Sequence, residues 1–275
     1  AFALDHQLDF FNHRDQEGFL RSLMIRNSNR GEFMVLIQFF RENKALREGI
    51  LEHLKKHFNI TSLLYCINTK ANDTIYDQEI ICYDGKTYIT EEMEGLNFKI
   101  NAKSFFQTNT EQAYELYKIA RDFAGLKGDE LVYDLYTGTG TIAQFIAKDC
   151  RKVIGIESIP EAIELAQSNA EENGIKNVFF EVGDMRKVFN QDFINRHGKA
   201  DVVITDPPRN GMHPAVVKQL LFLEPEKIVY VSCNNATQAR DLYLMKEQYR
   251  LVFSKAIDMF PQTQHVENVV LLEKK

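Results

Sequence analysis

Residues 131–142 read LVYDLYTGTGTI, an apolar segment followed by two glycines, Gly138 and Gly140. The segment Leu131–Tyr136 predicts a buried β-strand. The glycines after it allow the backbone to turn tightly and to approach a ligand closely. The dinucleotide fingerprint G-x-G-x-x-G needs a third glycine, and Ala143 stands in its place. The stretch therefore predicts a ligand-binding turn at the carboxyl end of a strand and disfavours a nicotinamide dehydrogenase.

Strand and helix patterns alternate along the chain from about residue 109. Such alternation implies parallel strands joined by right-handed crossovers, which form a doubly wound α/β sheet. The last two strand candidates have no helix between them, so they predict an antiparallel pair at one edge. The strand candidates after the first are Val153–Ile156, Val178–Val182, Val202–Thr205, Ile228–Ser232, Leu251–Ile257 and Val266–Leu272.

The pattern changes near residue 100. Before that point, strand candidates at 18–26 and 32–40 flank a polar turn, and a helical apolar spacing follows at 46–58. The pair Asp84-Gly85 predicts a hairpin between two further short strands. We therefore expect two domains. They are a smaller α+β domain at residues 1–95 and an α/β domain at residues 96–275.

The composition is that of an ordinary globular protein, with 44% hydrophobic and 26% charged residues in 275. No apolar run is long enough to span a bilayer and no signal segment opens the chain, so we expect a cytoplasmic protein without membrane contact. The formal net charge of −6 counts modestly against binding nucleic acid through bulk charge, although a local basic groove is compatible with it. Because the sequence starts with Ala1 and not Met, we expect a piece of a longer protein.

The four cysteines are spread over both halves of the chain, and none forms a C-x-x-C pair. This spacing predicts neither a metal site nor a disulfide scaffold. Buried, reduced thiols are the ordinary interpretation of Cys66, Cys82 and Cys150. Cys233 is the exception, because it follows a strand on the same edge as the glycine turn.

Carboxylates follow the next strands of the predicted sheet. Glu157 ends the second strand, where it could accept hydrogen bonds from both hydroxyls of a ribose. Asp184 ends the third strand and could reach an adenine amino group, and Asp206 begins the sequence Asp-Pro-Pro-Arg after the fourth. Each residue alone could be a solvated charge, and the glycines could merely shape a turn. Together, at the edge where open α/β sheets bind ligands, they predict a nucleoside site. This layout resembles that of class I methyltransferases.

The sequence Asp206-Pro-Pro-Arg209 narrows the chemistry. Methyltransferases that act on amino groups resemble [DN]-P-P-[YF], in which the aromatic ring stacks on the target base. RNA cytosine-5 methyltransferases carry a cysteine after this proline motif. Here Arg209 follows the prolines, so both classes are disfavoured.

Methylation of carbon 5 of uracil needs two protein groups. A thiolate adds to carbon 6 and makes carbon 5 nucleophilic, and a base later removes the carbon 5 proton. Cys233 fits the first role, since the loop after it leads into a helix whose amino end would lower the pKa of the thiol. Glu267 fits the second, because it starts an otherwise apolar strand that would raise the pKa of its carboxyl group. His265 is a rival for that role.

Five motifs together resemble the RNA (uracil-5-)-methyltransferase family, most closely its 23S ribosomal RNA branch. They are SFFQTN at 104–109, DLYTGTG at 134–140, DPPR at 206–209, SCN at 232–234 and QTQHVE at 262–267. The resemblance implies a covalent adduct between Cys233 and carbon 6, with Glu267 as the base. It also implies an S-adenosyl-L-methionine site formed by Gln107, Tyr136, Thr141, Glu157, Asp184 and Asp206.

The resemblance implies an RNA substrate, 5-methyluridine as product, a role in ribosomal RNA processing and a monomer whose N-terminal domain faces the RNA. Three departures from the family are visible. Asn235 replaces a common proline, and neither the N-terminal β-barrel module nor the cysteines of an iron–sulfur cluster is present, so we expect a fragment without that cluster. Two alternatives remain open. They are the same reaction on transfer RNA and a non-catalytic module that binds S-adenosylmethionine or RNA.

Overall fold

The computed structural model describes residues 2–275 and divides the chain into two compact units, Ala1–Phe105 and Phe106–Lys275. The first unit contains a four-stranded sheet in the order β1-β2-β3-β4 and a separate hairpin of β5 and β6. Its elements are α1 (Phe2–Asp5), β1 (Leu20–Asn27), β2 (Phe33–Phe39), α2 (Lys44–His57), β3 (Ser62–Ile67), β4 (Ile81–Gly85), β5 (Tyr88–Met93) and β6 (Leu96–Asn101).

The two units divide about one strand beyond the predicted boundary at residue 95. Residue 95 falls in the turn between β5 and β6, which pair along their whole length from Tyr88 and Asn101 to Met93 and Leu96. A boundary there would separate two hydrogen-bonded strands, so the first unit continues to Phe105.

The hairpin predicted at Asp84-Gly85 is wrong. β4 pairs with β3, whereas β5 pairs with β6 in another sheet. The tight turn lies instead at Glu94 and Gly95, whose φ angles are +50° and +81°. Positive φ at both central residues is the requirement of a two-residue type I′ hairpin loop.

The second unit is a seven-stranded sheet in the order β12-β13-β11-β10-β7-β8-β9. Its elements are α3 (Thr110–Ala124), β7 (Leu131–Leu135), α4 (Thr141–Ile146), β8 (Lys152–Glu157), α5 (Pro160–Glu172), β9 (Val178–Val182), α6 (Met185–Val188), α7 (Gln191–His197), β10 (Val202–Thr205), α8 (Pro214–Leu223), β11 (Lys227–Ser232), α9 (Asn235–Met245), β12 (Tyr249–Ile257) and β13 (Glu267–Lys274).

Strands β7 to β11 are parallel, and β13 runs antiparallel between β11 and β12. The doubly wound sheet and its antiparallel edge pair are therefore confirmed. The central strands are buried on both faces, since every residue of β7 and β10 is buried. Parallel strands that carry helices on both faces require such continuous apolar runs. No helix of the described residues is long and apolar enough to cross a membrane.

Candidate active site

The loops that follow the parallel strands meet at one edge of the sheet. Backbone hydrogen bonds join neighbouring loops: Thr137 N donates to Ile156 O at 3.0 Å, and Gly183 N donates to Glu157 O at 2.8 Å. Asp206 N donates to Leu135 O at 3.3 Å, which links the end of β10 to the end of β7. The structure thus brings Tyr136, Glu157, Asp184 and Asp206 to the same edge, as their positions in the sequence predict.

The turn after β7 has an unusual backbone. Tyr136, Gly138 and Gly140 all have positive φ, at +64°, +56° and +73°. Tyr136 is strained there, because a side chain at Cβ disfavours the left-handed region. A Cβ on Gly140 would lie 2.6 Å from the ring of Phe180, whereas a Cβ on Gly138 would meet nothing within 4 Å. Gly140 therefore packs tightly on the sheet, and Gly138 leaves open space at the edge.

Glu157 is held in place by backbone donors. Its Oε1 accepts from Ser158 N at 2.7 Å and from Ile159 N at 3.1 Å, and its Oε2 accepts from Gly138 N at 3.2 Å. The carboxylate therefore faces the glycine turn in a defined orientation. Such an orientation suits the recognition of a ribose diol.

Asp134 is a buried carboxyl at the end of β7. Its Oδ2 accepts a hydrogen bond from the Thr137 hydroxyl. Burial raises the pKa of Asp134 to about 7, and the Thr137 hydroxyl and the Ala143 backbone amide partly oppose this rise.

Three of the residues predicted to bind S-adenosyl-L-methionine do not share the contacts of Glu157 described above. Asp184 caps α6, and its ion pair and hydrogen bonds with Arg186 hold the pKa of that carboxyl well below its usual range. Thr141 is the buried first residue of α4, with its Oγ1 3.3 Å from Oγ1 of Thr139. Gln107 is half-buried in the loop before α3. Among the described residues, no hydrogen bond or ion pair joins it to the other five.

Cys233 and Glu267 lie at the same end of two neighbouring strands. β11 and β13 are antiparallel, and their pairing ends with Ser232 and Asn268. The same register continued by one residue beyond β11 sets Cys233 opposite Glu267, and the two groups interact electrostatically. Side chains directly opposite in an antiparallel pair lie on the same face, with their Cβ atoms about 5 Å apart. The register of this edge pair thus brings together two residues far apart in the chain.

Charge and burial shift the pKa values of this pair. Burial raises the pKa of the Cys233 thiol, and the carboxylates of Glu267 and Asp206 raise it further, while Arg209 opposes them. The net direction is therefore upward, whereas the amino end of α9 alone would lower this pKa. Burial also raises the pKa of Glu267, again opposed by Arg209. The pKa of Asp206 is raised by burial, then by Glu267 and Asp134.

Arg209 is the positive group of the site. Its positive charge acts on both Cys233 and Glu267 and lowers the pKa of each. Its Nη2 also lies 3.2 Å from Nδ1 of the exposed His265 ring. His265 is thus near the site but open to solvent, whereas Glu267 is half-buried. Desolvation makes the Glu267 carboxylate a stronger proton acceptor than an exposed carboxylate.

Three polar residues of the site had no role in the sequence-based prediction. Arg209 served there only to exclude other families, and Asp134 only marked the start of the glycine turn. Tyr117 lies on α3 and is buried, and its pKa is raised by burial and then by Asp206, Asp134 and Glu267. The available signal for Arg209 was its place beside the Asp-Pro-Pro turn. Tyr117 gave none, because its helical spacing is that of a core position.

The sheet order and the residues at its carboxyl edge define a class I methyltransferase fold. The family described as tRNA (uracil-5-)-methyltransferase matches residues 52–275. The chain therefore belongs to the RNA (uracil-5-)-methyltransferase family. Among the described residues, no cluster of three or more His, Cys, Asp or Glu side chains could hold a metal ion.

Relatives and solved structures agree with this assignment. An uncharacterized RNA methyltransferase of Porphyromonas gingivalis is 61% identical over 266 residues, and one of Bacteroides thetaiotaomicron is 57% identical over 276 residues. The matches cover 96% and 99% of this chain but only 57% and 61% of the relatives. The chain thus spans about three-fifths of their length.

The structure of the Pyrococcus abyssi tRNA (uracil-54, C5)-methyltransferase, in complex with S-adenosyl-L-homocysteine, matches with a TM-score of 0.83 at 35% identity. The match covers 98% of this chain and 64% of that one. The M. jannaschii tRNA m1G37 methyltransferase matches with a TM-score of 0.57 at 16% identity, over 100% of this chain and 77% of that one. The second likeness is one of fold alone.

Proposed function

We propose that this chain is the catalytic part of an enzyme that methylates carbon 5 of uracil in RNA. The observation that carries the proposal is the pair of Cys233, directly after β11, and Glu267, the first residue of β13, which interact with each other and with Arg209 and Asp206. A thiol and a base on one face are the two groups that this reaction needs. A module that only binds nucleosides needs neither.

The carboxyl edge fits S-adenosyl-L-methionine as the methyl donor. Gly138 leaves open space at the turn after β7, and backbone donors hold Glu157 in a fixed orientation towards that turn. When bound, the donor supplies a methyl group on a positively charged sulfur. The residues that would hold it are Gln107, Tyr136, Thr141, Glu157, Asp184 and Asp206.

Cys233 carries the first protein step. Its thiolate forms a bond to carbon 6 of the uracil, and the electron pair of the C5–C6 double bond moves towards the C4 carbonyl, so that carbon 5 becomes nucleophilic. Arg209 favours the thiolate, because its positive charge lowers the pKa of the Cys233 thiol. It acts against burial and against the carboxylates of Glu267 and Asp206, all of which raise that pKa.

Glu267 carries the last protein step. After the methyl group is on carbon 5, the Glu267 carboxylate takes the carbon 5 proton, the C5–C6 double bond re-forms, and the bond to Cys233 breaks to release the thiolate. Burial raises the pKa of Glu267, which makes its carboxylate a better proton acceptor than an exposed one.

The RNA class is part of the proposal. We infer ribosomal RNA from the sequence Tyr136–Ile142, which resembles the 23S ribosomal RNA branch of the family. Transfer RNA is the second candidate, favoured by the description of the matching family and by the P. abyssi structure, whose described substrate is a tRNA uracil.

Mass mapping of methylated uridines in RNA from cells with and without the gene tests function and substrate together. We expect one 5-methyluridine to disappear from 23S ribosomal RNA in the deletion strain and to return with the wild-type gene. It should return with Cys82→Ala, a half-buried thiol of the first unit, but not with Cys233→Ala. Loss from transfer RNA alone would establish the second candidate. Unchanged 5-methyluridine in both RNAs would contradict the proposed function.

A further inference from the structure

A completely buried carboxylate lies on α9, beyond the site described above. Asp241 has a relative exposure of 0%. Its Oδ2 accepts hydrogen bonds from Met212 N and from the Tyr230 hydroxyl, each at 2.8 Å. Its Oδ1 accepts from Arg240 Nε at 2.9 Å and from Arg240 Nη2 at 2.7 Å. A buried charge needs such partners, so this carboxylate is an anchor with a defined geometry.

The anchor holds the Arg209 loop, which we define as residues 209–212. Arg240 Nη2 donates to Asn210 O at 3.0 Å and to Met212 O at 3.2 Å. Gly211 has a φ of +73°, and a Cβ there would lie 2.7 Å from Asp241 Oδ2. The loop therefore lies directly against the carboxylate, with no room for a side chain.

The amino end of the same helix holds the start of the loop. Asn234 Nδ2 and Thr237 Oγ1 both donate to Arg209 O, at 3.0 and 3.1 Å. Cys233 comes immediately before Asn234, so α9 supports both the thiol and the loop that carries the guanidinium.

We propose that Asp241 is a positioning residue that fixes the Arg209 loop on α9 and thereby keeps the Arg209 guanidinium beside the Cys233 sulfur. The proposal deepens the proposed function and rests on it, because only a nucleophilic Cys233 needs this cation. The groups that face Cys233 are Glu267, Asp206 and Arg209. Since the first two are carboxylates, displacement of Arg209 leaves the thiol among groups that disfavour its ionisation.

A purely structural role for Asp241 would give a different result. In that case its loss would lower thermal stability but leave the reactivity of Cys233 unchanged. The direct effect of its charge is also of opposite sign, because removal of a nearby negative charge favours a thiolate. The groups that face Asp241 are Arg240, Tyr230 and Tyr136. If the Asp241→Asn substitution raises the pKa of Cys233, the direct loss of the Asp241 charge does not explain the rise. Such a rise therefore indicates displacement of Arg209.

The test measures how fast iodoacetamide alkylates Cys233 from neutral to alkaline pH, with each cysteine followed separately by mass spectrometry. The midpoint is the pH at which the alkylation rate of Cys233 is half of its maximum. For Asp241→Asn we expect this midpoint to rise by about one pH unit, so that Cys233 reacts about tenfold more slowly at neutral pH. Tyr230→Phe is the matched control. It removes a hydrogen bond to the same carboxylate but none to the loop, so its melting temperature should fall while the Cys233 midpoint stays that of the wild type.

Gly211→Ala disturbs the same contact between the Arg209 loop and Asp241 by a change in the loop. This variant replaces Asp241→Asn in the test if Asp241→Asn does not fold. Its Cβ would lie 2.7 Å from both Asp241 Oδ2 and Arg240 Nη2, so it should give the same upward shift. A wild-type midpoint in folded Asp241→Asn or Gly211→Ala would overturn the proposal, and so would an equal shift in Tyr230→Phe. Alkylation needs neither RNA nor methyl donor, so this result is independent of whether uracil methylation is confirmed.

Discussion

Replacement of Glu267 by Gln should trap the protein on its RNA. The substitution keeps the size of the side chain and removes the group that takes the carbon 5 proton. It also removes one of the carboxylates that raise the pKa of Cys233, so the thiolate should form at least as readily as in the wild type. Addition and methyl transfer therefore proceed, and only release is slowed.

The size of the effect follows from the role of the base. Loss of a general base typically slows its step by about 10²- to 10⁴-fold. From a typical turnover of about 10 s⁻¹, release in the variant would take roughly ten seconds to twenty minutes. A covalent species with that lifetime accumulates and survives denaturation.

The assay combines RNA with methyl-labelled donor and separates the products on a denaturing gel. Glu267→Gln should give a labelled protein–RNA band, and Cys233→Ala should give none. Glu273→Gln is the matched control on the same strand. Its carboxylate pairs with Arg250 at 2.8 Å near the surface, where such a pair contributes little, so it should behave as wild type. A trapped band in His265→Ala together with normal turnover in Glu267→Gln would refute the assignment of the base.

Other predictions concern the donor site. Gly138→Ala and Gly174→Ala introduce similar left-handed strain without a clash, so each should lose about 1 kcal/mol of stability, but calorimetry should show weaker donor binding only for Gly138→Ala. Glu157→Gln should weaken donor binding by roughly ten- to a hundredfold, whereas the exposed Glu164→Gln on α5 should not. The pKa of Asp134 is about 7 in the folded protein and has an ordinary value of 3.8. The unfolded chain therefore loses this proton at lower pH than the folded protein does, and the free energy of unfolding should fall by up to about 4 kcal/mol as pH rises between these two values. Asp134→Asn should therefore gain melting temperature relative to wild type at pH about 8 but not at pH about 4, and an equal difference at both would be inconsistent with a buried charge.

Much of the fold is predictable from the sequence because its signals are local. Five apolar runs alternate with helical patterns, and parallel strands necessarily bring their carboxyl ends to one edge. This rule alone groups Glu157, Asp206 and Cys233. Glu267 follows once β13 is taken as antiparallel to its neighbour, because the pairing register then sets it opposite the cysteine.

The features that sequence reasoning missed depend on contacts between distant segments. Asp84-Gly85 is a good local hairpin signal, but β4 finds its partner in β3. Asp241 lies in a polar stretch of α9 that looks exposed, and its burial depends on the loop that brings Met212 N to it. The net pKa shift of Cys233 likewise depends on its burial and then on the carboxylates of Glu267 and Asp206, which come from other segments of the chain.

The central claim is that Cys233 bonds to carbon 6 of a uracil during methylation of carbon 5. RNA that contains 5-fluorouridine tests it most directly, because fluorine at carbon 5 leaves no proton for Glu267 to remove and release is blocked. After incubation with donor, digestion and mass spectrometry, the peptide that contains Cys233 should carry a methylated fluorouridine. The claim would be contradicted by that adduct on another residue, or by methylation of ordinary RNA without any adduct on the fluorinated one.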